Sequence, residues 1–292
     1  MTLISSAYVN YDYGYSVKSG VHIYLYSRAL ANLGTEKHQV YLERASKLQD
    51  IGGFALTELT HGSNVKGIQT QAHYDHASRS FTLHTPSKDA MKFWIGAVAN
   101  LANNAVIWSN LYLDGKNLGL HAFVVPLRDK NTHKVLPGVI IGDCGPKIGL
   151  NAIDNGFIMF DNYKITKECL LDKISGIDDN GKFFSVVEGD EKRFGLHLAA
   201  LSGGRFMISM NSAVLATTAL CIGIRYTYLR KQFSKYPSKK AEDLLINYPL
   251  TKRRMMPLLA QTIVYNTGNF QILRKWDENY ANILNPKNAV IQ

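Results

Sequence analysis

At 292 residues and 32.6 kDa, with 46% hydrophobic and 11% aromatic residues, the chain carries enough apolar surface to offset chain entropy, which excludes a small disulfide-stapled scaffold and global disorder. Thirty-three Lys and Arg against 23 Asp and Glu give a net charge of +10, favouring anionic partners such as nucleic acid, acidic lipid or a phosphate-bearing cofactor without choosing among them. Three widely spaced cysteines, Cys144, Cys169 and Cys221, read as free thiols of a reducing compartment, and the N-terminus has no secretory pattern.

In chain order, residues 16 to 50 repeat apolar positions at helical spacing around Gly34-Thr35-Glu36, a C-cap followed at once by an N-cap, so two helices are expected. From Phe54 to about Leu170 short apolar runs alternate with turn residues: FALTEL, FTLHT, AVIWSNLYL, LHAFVVPL, GVII and FIMF. That spacing points to a compact antiparallel sheet or barrel, with Asp114-Gly115-Lys116 supplying hairpin chemistry and Asn155-Gly156 a second turn. Residues 174 to 191, rich in Gly, Asp and Lys, read as a linker. Leu196 to Leu229 should be a long, mostly buried helix, and Leu250 to Trp276 another. Phe206 to Ile224 lacks charge but is interrupted by Ser, Asn and Thr, so a bundle helix is favoured over a membrane span.

The fold class is therefore α+β: helical segments flanking a central antiparallel β-barrel, followed by an incomplete helical bundle. Its divisions are a helical segment 1–53, a β domain 54–172, a linker 173–192 and the start of a C-terminal bundle 193–292.

Chemistry is sparse when read from residues alone. Thr57 and Ser63 lie on a strand and in a polar turn, six residues apart, and two such hydroxyls suit a ligand held near Gly62. His73-Tyr74-Asp75-His76 lacks a third ligand cluster, so no metal is assigned. No phosphate-loop lysine, dinucleotide fingerprint or G-x-S-x-G elbow is found. Residues 225 to 254 hold nine basic and two acidic side chains, but no aromatic platform accompanies them and nucleic-acid binding is not expected.

Thr57-Glu58-Leu59-Thr60-His61-Gly62-Ser63 resembles the T-E-x-x-x-G-S run of the acyl-CoA dehydrogenase and oxidase superfamily. Lys92-Phe93-Trp94-Ile95-Gly96 is similar to the K-x-W-I/P-G element of the peroxisomal acyl-CoA oxidases. Gly119 to Asp129, Leu136-Pro137-Gly138, Gly145 to Gly149, Asp154-Asn155-Gly156 and Phe160-Asp161-Asn162 follow in the oxidase order, so the resemblance runs from about residue 16 to residue 265.

The resemblance implies FAD as cofactor, a fatty acyl-CoA as substrate, a trans-2-enoyl product and oxygen reduced to hydrogen peroxide. It places Thr57 on the flavin's pyrimidine edge, Trp94 against the isoalloxazine, Gly96 where dehydrogenases carry a hydroxyl residue, and Ser63 on the pantetheine arm. Arg230, with Gln232 and Phe233, matches an R-x-x-F element that reaches the FAD pyrophosphate of a neighbouring subunit, which implies a homodimer; Ser234 stands where the family has glycine. Arg205 matches a helix start near the substrate cleft. The family's catalytic base is a carboxylate from the second half of the bundle, which these residues do not reach, so no catalytic residue is assigned and the chain reads as C-terminally truncated. Peroxisomal localisation is implied without an S-K-L address. The alternative is a noncatalytic acyl-CoA-binding or partner-pairing module.

Overall fold

The computed structural model describes residues 8–199, 202–234 and 241–283. They fall into two compact units, a β unit within residues 14–203 and a helical unit that combines residues 8–13 with 204–280.

In the β unit, helix α1 (Tyr13–Gly20) runs through a π-helical stretch, Val21–Ser27, into α2 (Arg28–Leu33). Gly34 ends it in an extended conformation, and Thr35 caps the next turn through a reciprocal box with His38 before α3 (Gln39–Ser46). The expected helix break is thus at the expected residues. From Gly14 onward this helical segment lies in the same compact unit as the sheet.

Eleven strands follow: β1 (Gly52–Ala55), β2 (Gln71–Asp75), β3 (Ser80–His84), β4 (Lys92–Ile95), β5 (Asn104–Leu113), β6 (Lys116–Pro126), β7 (Val139–Asp143), β8 (Gly156–Phe160), β9 (Tyr163–Thr166), β10 (Ser175–Ile177) and β11 (Phe183–Ser185). The β5–β6 hairpin turns on Asp114 and Gly115, both with positive φ (51° and 76°), the conformation that a two-residue turn of matching twist needs.

The antiparallel barrel is corrected by the topology. β5 takes β1 and β2 in parallel along one edge and β6 antiparallel along the other, giving a mixed six-stranded sheet ordered β1-β5-β2-β3-β9 with β6 on β5. The sheet curls into a half-barrel. Its edges β6 and β9 share no ladder; a bridge between Phe123 and Leu170, just past β9, and a hydrogen bond from the Tyr163 hydroxyl to Pro126 O at 3.0 Å connect them. A parallel neighbour needs a crossover connection, and the chain from β1 to β5 makes that crossover through β2, β3 and β4. β4, β8 and β7 form a separate three-stranded sheet, and β10 with β11 a hairpin inside the stretch expected to be a linker.

β5 is buried on both faces. Ala105, Ile107 and Leu111 join Phe81, Leu83, Phe123 and Ile158 in one apolar cluster, while Val106 and Trp108 join Tyr26, Leu30 and Val124 in another. That is why its sequence is mostly apolar on both faces, Ala105 to Trp108 and Leu111 to Leu113, rather than alternating. Tyr26 lies flat on the backbone of Gly52, where an added Cβ would stand 2.1 Å from the ring. Helix α4 (Asp190–Ala199) is pinned to β6 by His197, whose Nδ1–H donates to Leu120 O at 2.8 Å. His121 Nδ1–H donates to Gly119 O at 2.9 Å, and its Nε2 accepts from the Ser175 hydroxyl at 2.9 Å. Burial, chiefly, pushes these imidazoles down, His121 to about 3 and His197 to about 4.

The helical unit is built on α5 (Ser202–Leu229) and α6 (Pro249–Ile283). Polar pairs join them: Ser209 Oγ donates to Asn269 Oδ1 at 2.8 Å and Asn266 Nδ2 to Thr217 Oγ1 at 3.0 Å. The expectation that α5 is mostly buried fails among the described residues. Ile208, Ile222 and Tyr226 are exposed, the last two at 67% and 56%. Asp190–Leu229 contains a window long and apolar enough to cross a membrane by length and composition, of which 11% is buried.

Substituting Gly52→Ala should cost about 3 kcal/mol by driving Tyr26 out of its seat. Gly195→Ala, on an open helical face, should gain up to about 1 kcal/mol; thermal melts of the two variants decide the comparison. Because the folded-state pKa values of His121 and His197 lie below the unfolded value of about 6.5, their contribution is complete above that pH and is lost as pH falls toward about 4. Urea unfolding at pH 7.5 and 5.5 should show a total loss of about 1.4 kcal/mol for each imidazole between the two pH values. Equal stability at the two pH values would mean that these rings are not held neutral.

Candidate functional site

Thr57 lies just past β1, where the chain leaves the large sheet and pairs with β4 instead. Phe93 N donates to Thr57 O at 3.1 Å, Leu59 N to Met91 O at 2.9 Å, and Glu58 bridges Lys92 antiparallel. The sequence expectation of a strand through Leu59 is met only as far as Ala55, and the remainder becomes this short second ladder.

Alternation along this stretch buries Glu58 and turns Thr57 the other way. The Thr57 hydroxyl has no hydrogen-bond partner among the described residues. Glu58 is fully enclosed and accepts five hydrogen bonds. Its Oε1 takes the Thr70 amide at 2.9 Å, the Thr70 hydroxyl at 2.6 Å and Lys92 Nζ at 3.2 Å; its Oε2 takes the Gln69 amide at 2.9 Å and His61 Nδ1 at 3.0 Å. Burial alone raises this carboxyl, but the Lys92 ammonium and the donors from Thr70 and Gln69 outweigh it and hold it below its ordinary range. Burial lowers the Lys92 ammonium, with Glu58 opposing.

β4 is irregular. Lys92 faces Ile158 and Ile95 faces Gly156, so three steps on β4 match two on β8 and one residue is extra. The bulge is taken up at Trp94, whose φ of 68° lies in the left-handed region that a bulky residue rarely enters. Lys92 and Trp94, two apart, would otherwise share a face. With the bulge, Lys92 is fully buried and Trp94 is 53% exposed. Asn155 Nδ2 donates to Trp94 O at 3.0 Å and fixes the turned-out residue.

Gly96 follows. A Cβ there would sit 3.0 Å from Val21 Cγ2 and 3.4 Å from Ile153 Cγ2, so the π-helical stretch and the 153–156 loop close over this backbone. Arg128 secures the next turn, donating to Ala102 O at 2.6 Å, Val98 O at 2.9 Å and Ala99 O at 2.8 Å. Ser63 is exposed in the turn beyond Glu58, beside Gly62, which has open space around it. Thr60, where the related run carries glycine, is exposed and its hydroxyl donates to Asp89 O at 3.1 Å.

Thr57, Ser63, Trp94 and Gly96 thus belong to the β unit, and the 57–60 and 89–93 segments bring the hydroxyl strand to the tryptophan. Arg205, Arg230, Gln232 and Phe233 belong to the helical unit. There, residues 230–233 form a short ladder with 243–245: Gln232 N donates to Asp243 O at 3.0 Å and Leu245 N to Arg230 O at 2.9 Å. Arg205, Arg230 and Phe233 are exposed. The left-handed residue of this turn is Phe233, with φ of 50°, so the family's glycine is not needed at Ser234 for a positive φ.

Sequence reasoning missed the roles of Lys92, Glu58, Thr70, Asn155 and Arg128. Glu58 and Lys92 stood inside recognised runs, but a lysine with no exposed surface runs against its usual place, and the pairing crosses 34 residues.

Residues 198–290 match the acyl-CoA oxidase C-alpha1 domain. Acyl-coenzyme A oxidase 3, peroxisomal, of Arabidopsis thaliana is 41% identical over 253 residues, 86% of this chain and 37% of that protein. The crystal structure of acyl-CoA oxidase 3 from Yarrowia lipolytica matches with a TM-score of 0.87 at 34% identity, covering 97% of this chain and 40% of that one. Acyl-CoA oxidase-2 of Caenorhabditis elegans, bound with FAD, ascaroside-CoA and ATP, matches with a TM-score of 0.83 at 30% identity, covering 93% and 39%. The chain spans well under half the length of these relatives. Motif order, sequence identity and fold agree: the chain belongs to the acyl-CoA oxidase family.

Proposed function

We propose that these residues form the flavin- and thioester-facing walls of a peroxisomal acyl-CoA oxidase. The observation that carries the reading is the β4 bulge, which turns Trp94 outward beside a strand whose Thr57 hydroxyl has no hydrogen-bond partner among the described residues. A half-exposed indole with a fixed carbonyl suits an aromatic ring system, and a neighbouring hydroxyl on a rigid backbone suits its polar edge.

In this reading Thr57, Trp94 and Gly96 hold FAD, with Arg230, Gln232 and Phe233 at the pyrophosphate of a second subunit in a homodimer. FAD when bound supplies the two-electron acceptor for desaturating carbons two and three of a fatty acyl-CoA, with oxygen reduced to hydrogen peroxide. Ser63 donates to the pantetheine arm in the turn, and Arg205 flanks the substrate cleft. The backbone at Gly96 presents no side chain, so the approach there is set by Val21 and Ile153.

Glu58 is the carboxylate next to Thr57 in the chain, yet it does not serve as the base that removes the substrate proton. Its lone pairs are engaged by five donors, it has no exposed surface, and it is held ionised as the partner of Lys92. The residues here bind and orient; none is assigned as the base. A second reading, pairing with another subunit as a noncatalytic module, is favoured by the apolar side chains exposed on the helical unit, among them Ile222, Val264 and Phe270.

The purified chain incubated with FAD and desalted should show flavin absorption bands, and with palmitoyl-CoA it should give no sustained peroxide release. A colourless protein refutes the flavin reading. Sustained turnover overturns the assignment of no base among these residues. Light scattering separates a pairing module from a monomeric one.

A further inference from the structure

We infer that Glu58 and Lys92 are positioning residues that clamp Thr57 and Trp94 into register, so that the buried ion pair, acting through the backbone, sets the geometry of the ligand-facing wall.

The clamp is visible in where the lysine's hydrogen bonds go. Lys92 Nζ donates to Leu56 O at 3.2 Å and to Glu58 Oε1 at 3.2 Å, so one ammonium holds the residues on both sides of Thr57. Two residues further along the same strand, Trp94 is turned out by the bulge. The intervening Phe93 amide closes the circuit by donating to Thr57 O at 3.1 Å. Thr57 and Trp94 are thereby fixed from inside the protein by groups that touch neither side chain.

The other end of the clamp is anchored as well. The Glu58 carboxylate receives the amides of Gln69 and Thr70 and the Thr70 hydroxyl, which ties it to the chain just ahead of β2 in the large sheet. His61 closes the far side from within the Ser63 turn. The pair therefore bridges the large sheet, the hydroxyl segment, the polar turn and the separate sheet that carries Trp94. An apolar pair of the same volume would fill the space, but would leave Leu56 O without this donor and the two segments held only by their backbone hydrogen bonds.

Lys92→Met leaves a buried carboxylate without its cation, and Glu58→Gln/Lys92→Met removes both charges at similar volume. Hydrogen exchange of the peptides covering 56–64 and 90–96 is compared with FAD affinity from flavin fluorescence, with Gly52→Ala as a variant that weakens the fold away from the clamp. The double variant should regain most of the thermal stability lost in Lys92→Met. Both Lys92 variants should exchange at least tenfold faster in the two peptides and bind FAD at least tenfold more weakly, while folded Gly52→Ala stays within twofold in FAD affinity. If Lys92→Met does not fold, the double variant carries the comparison. Exchange and affinity within twofold of wild type in a folded Lys92 variant overturn the inference, as does an equal loss of affinity in Gly52→Ala. The affinity arm rests on the flavin reading. If the wild-type chain itself binds no FAD, that reading fails, and the exchange of the two peptides alone decides the clamp.

Discussion

The ion pair between Lys92 and Glu58 is the constraint on which the candidate site depends. Taking both charges out of water is costly, and their attraction alone does not repay it. Here the remaining capacity of the carboxylate is filled by two amides, a hydroxyl and an imidazole, and the ammonium finds a carbonyl. A densely bonded polar centre of this kind contributes little net stability, but it tolerates few alternative geometries, because any displacement strands a buried charge. Around it are arranged two sheets that share no ladder with each other, and Thr57 and Trp94 sit where those sheets meet.

The same logic accounts for the irregular backbone. Strand β4 has to bury Lys92 and expose Trp94, which regular alternation forbids for residues two apart. One extra residue and a left-handed tryptophan solve the conflict, at an energetic cost offset by the Asn155 bond to Trp94 O and by the pairing of Phe93 with Thr57. Strained backbone at this point, packed glycines at 53 and 96, and Arg128 capping three carbonyls in the following turn all belong to one rigid corner. Binding sites gain from such rigidity because less ordering is left for the ligand to bring about.

The helical unit follows different physics. Ser209 with Asn269 and Thr217 with Asn266 fix α5 against α6 through polar contacts, while apolar side chains of both helices remain exposed. In the β unit the apolar clusters lie on both faces of β5, so its stability is largely internal. The chain joins a well-packed module to one whose apolar surface exceeds what its own two helices cover.

Much was legible from the sequence wherever the controlling interaction was local. Asp114-Gly115 specifies its hairpin because only certain residues accept two successive positive φ values, and Gly34-Thr35 marks a helix boundary because capping is read over three or four residues. The order of the oxidase-like runs identified the family and singled out Thr57, Ser63, Trp94 and Gly96 as candidates. Other features needed the tertiary structure. Parallel pairing of β1 with β5 joins residues about fifty positions apart, and no local pattern distinguishes it from an antiparallel meander. The burial of Lys92, the left-handed turn at Trp94 and the exposure of α5 depend on what packs against each of them. Sequence by itself determined which residue types were present in which order, since backbone preference and motif spacing are local properties. Only the fold decided that a lysine and a glutamate 34 residues apart would meet in the interior and so hold the wall in place, because burial and Coulomb energy are set by neighbours in space.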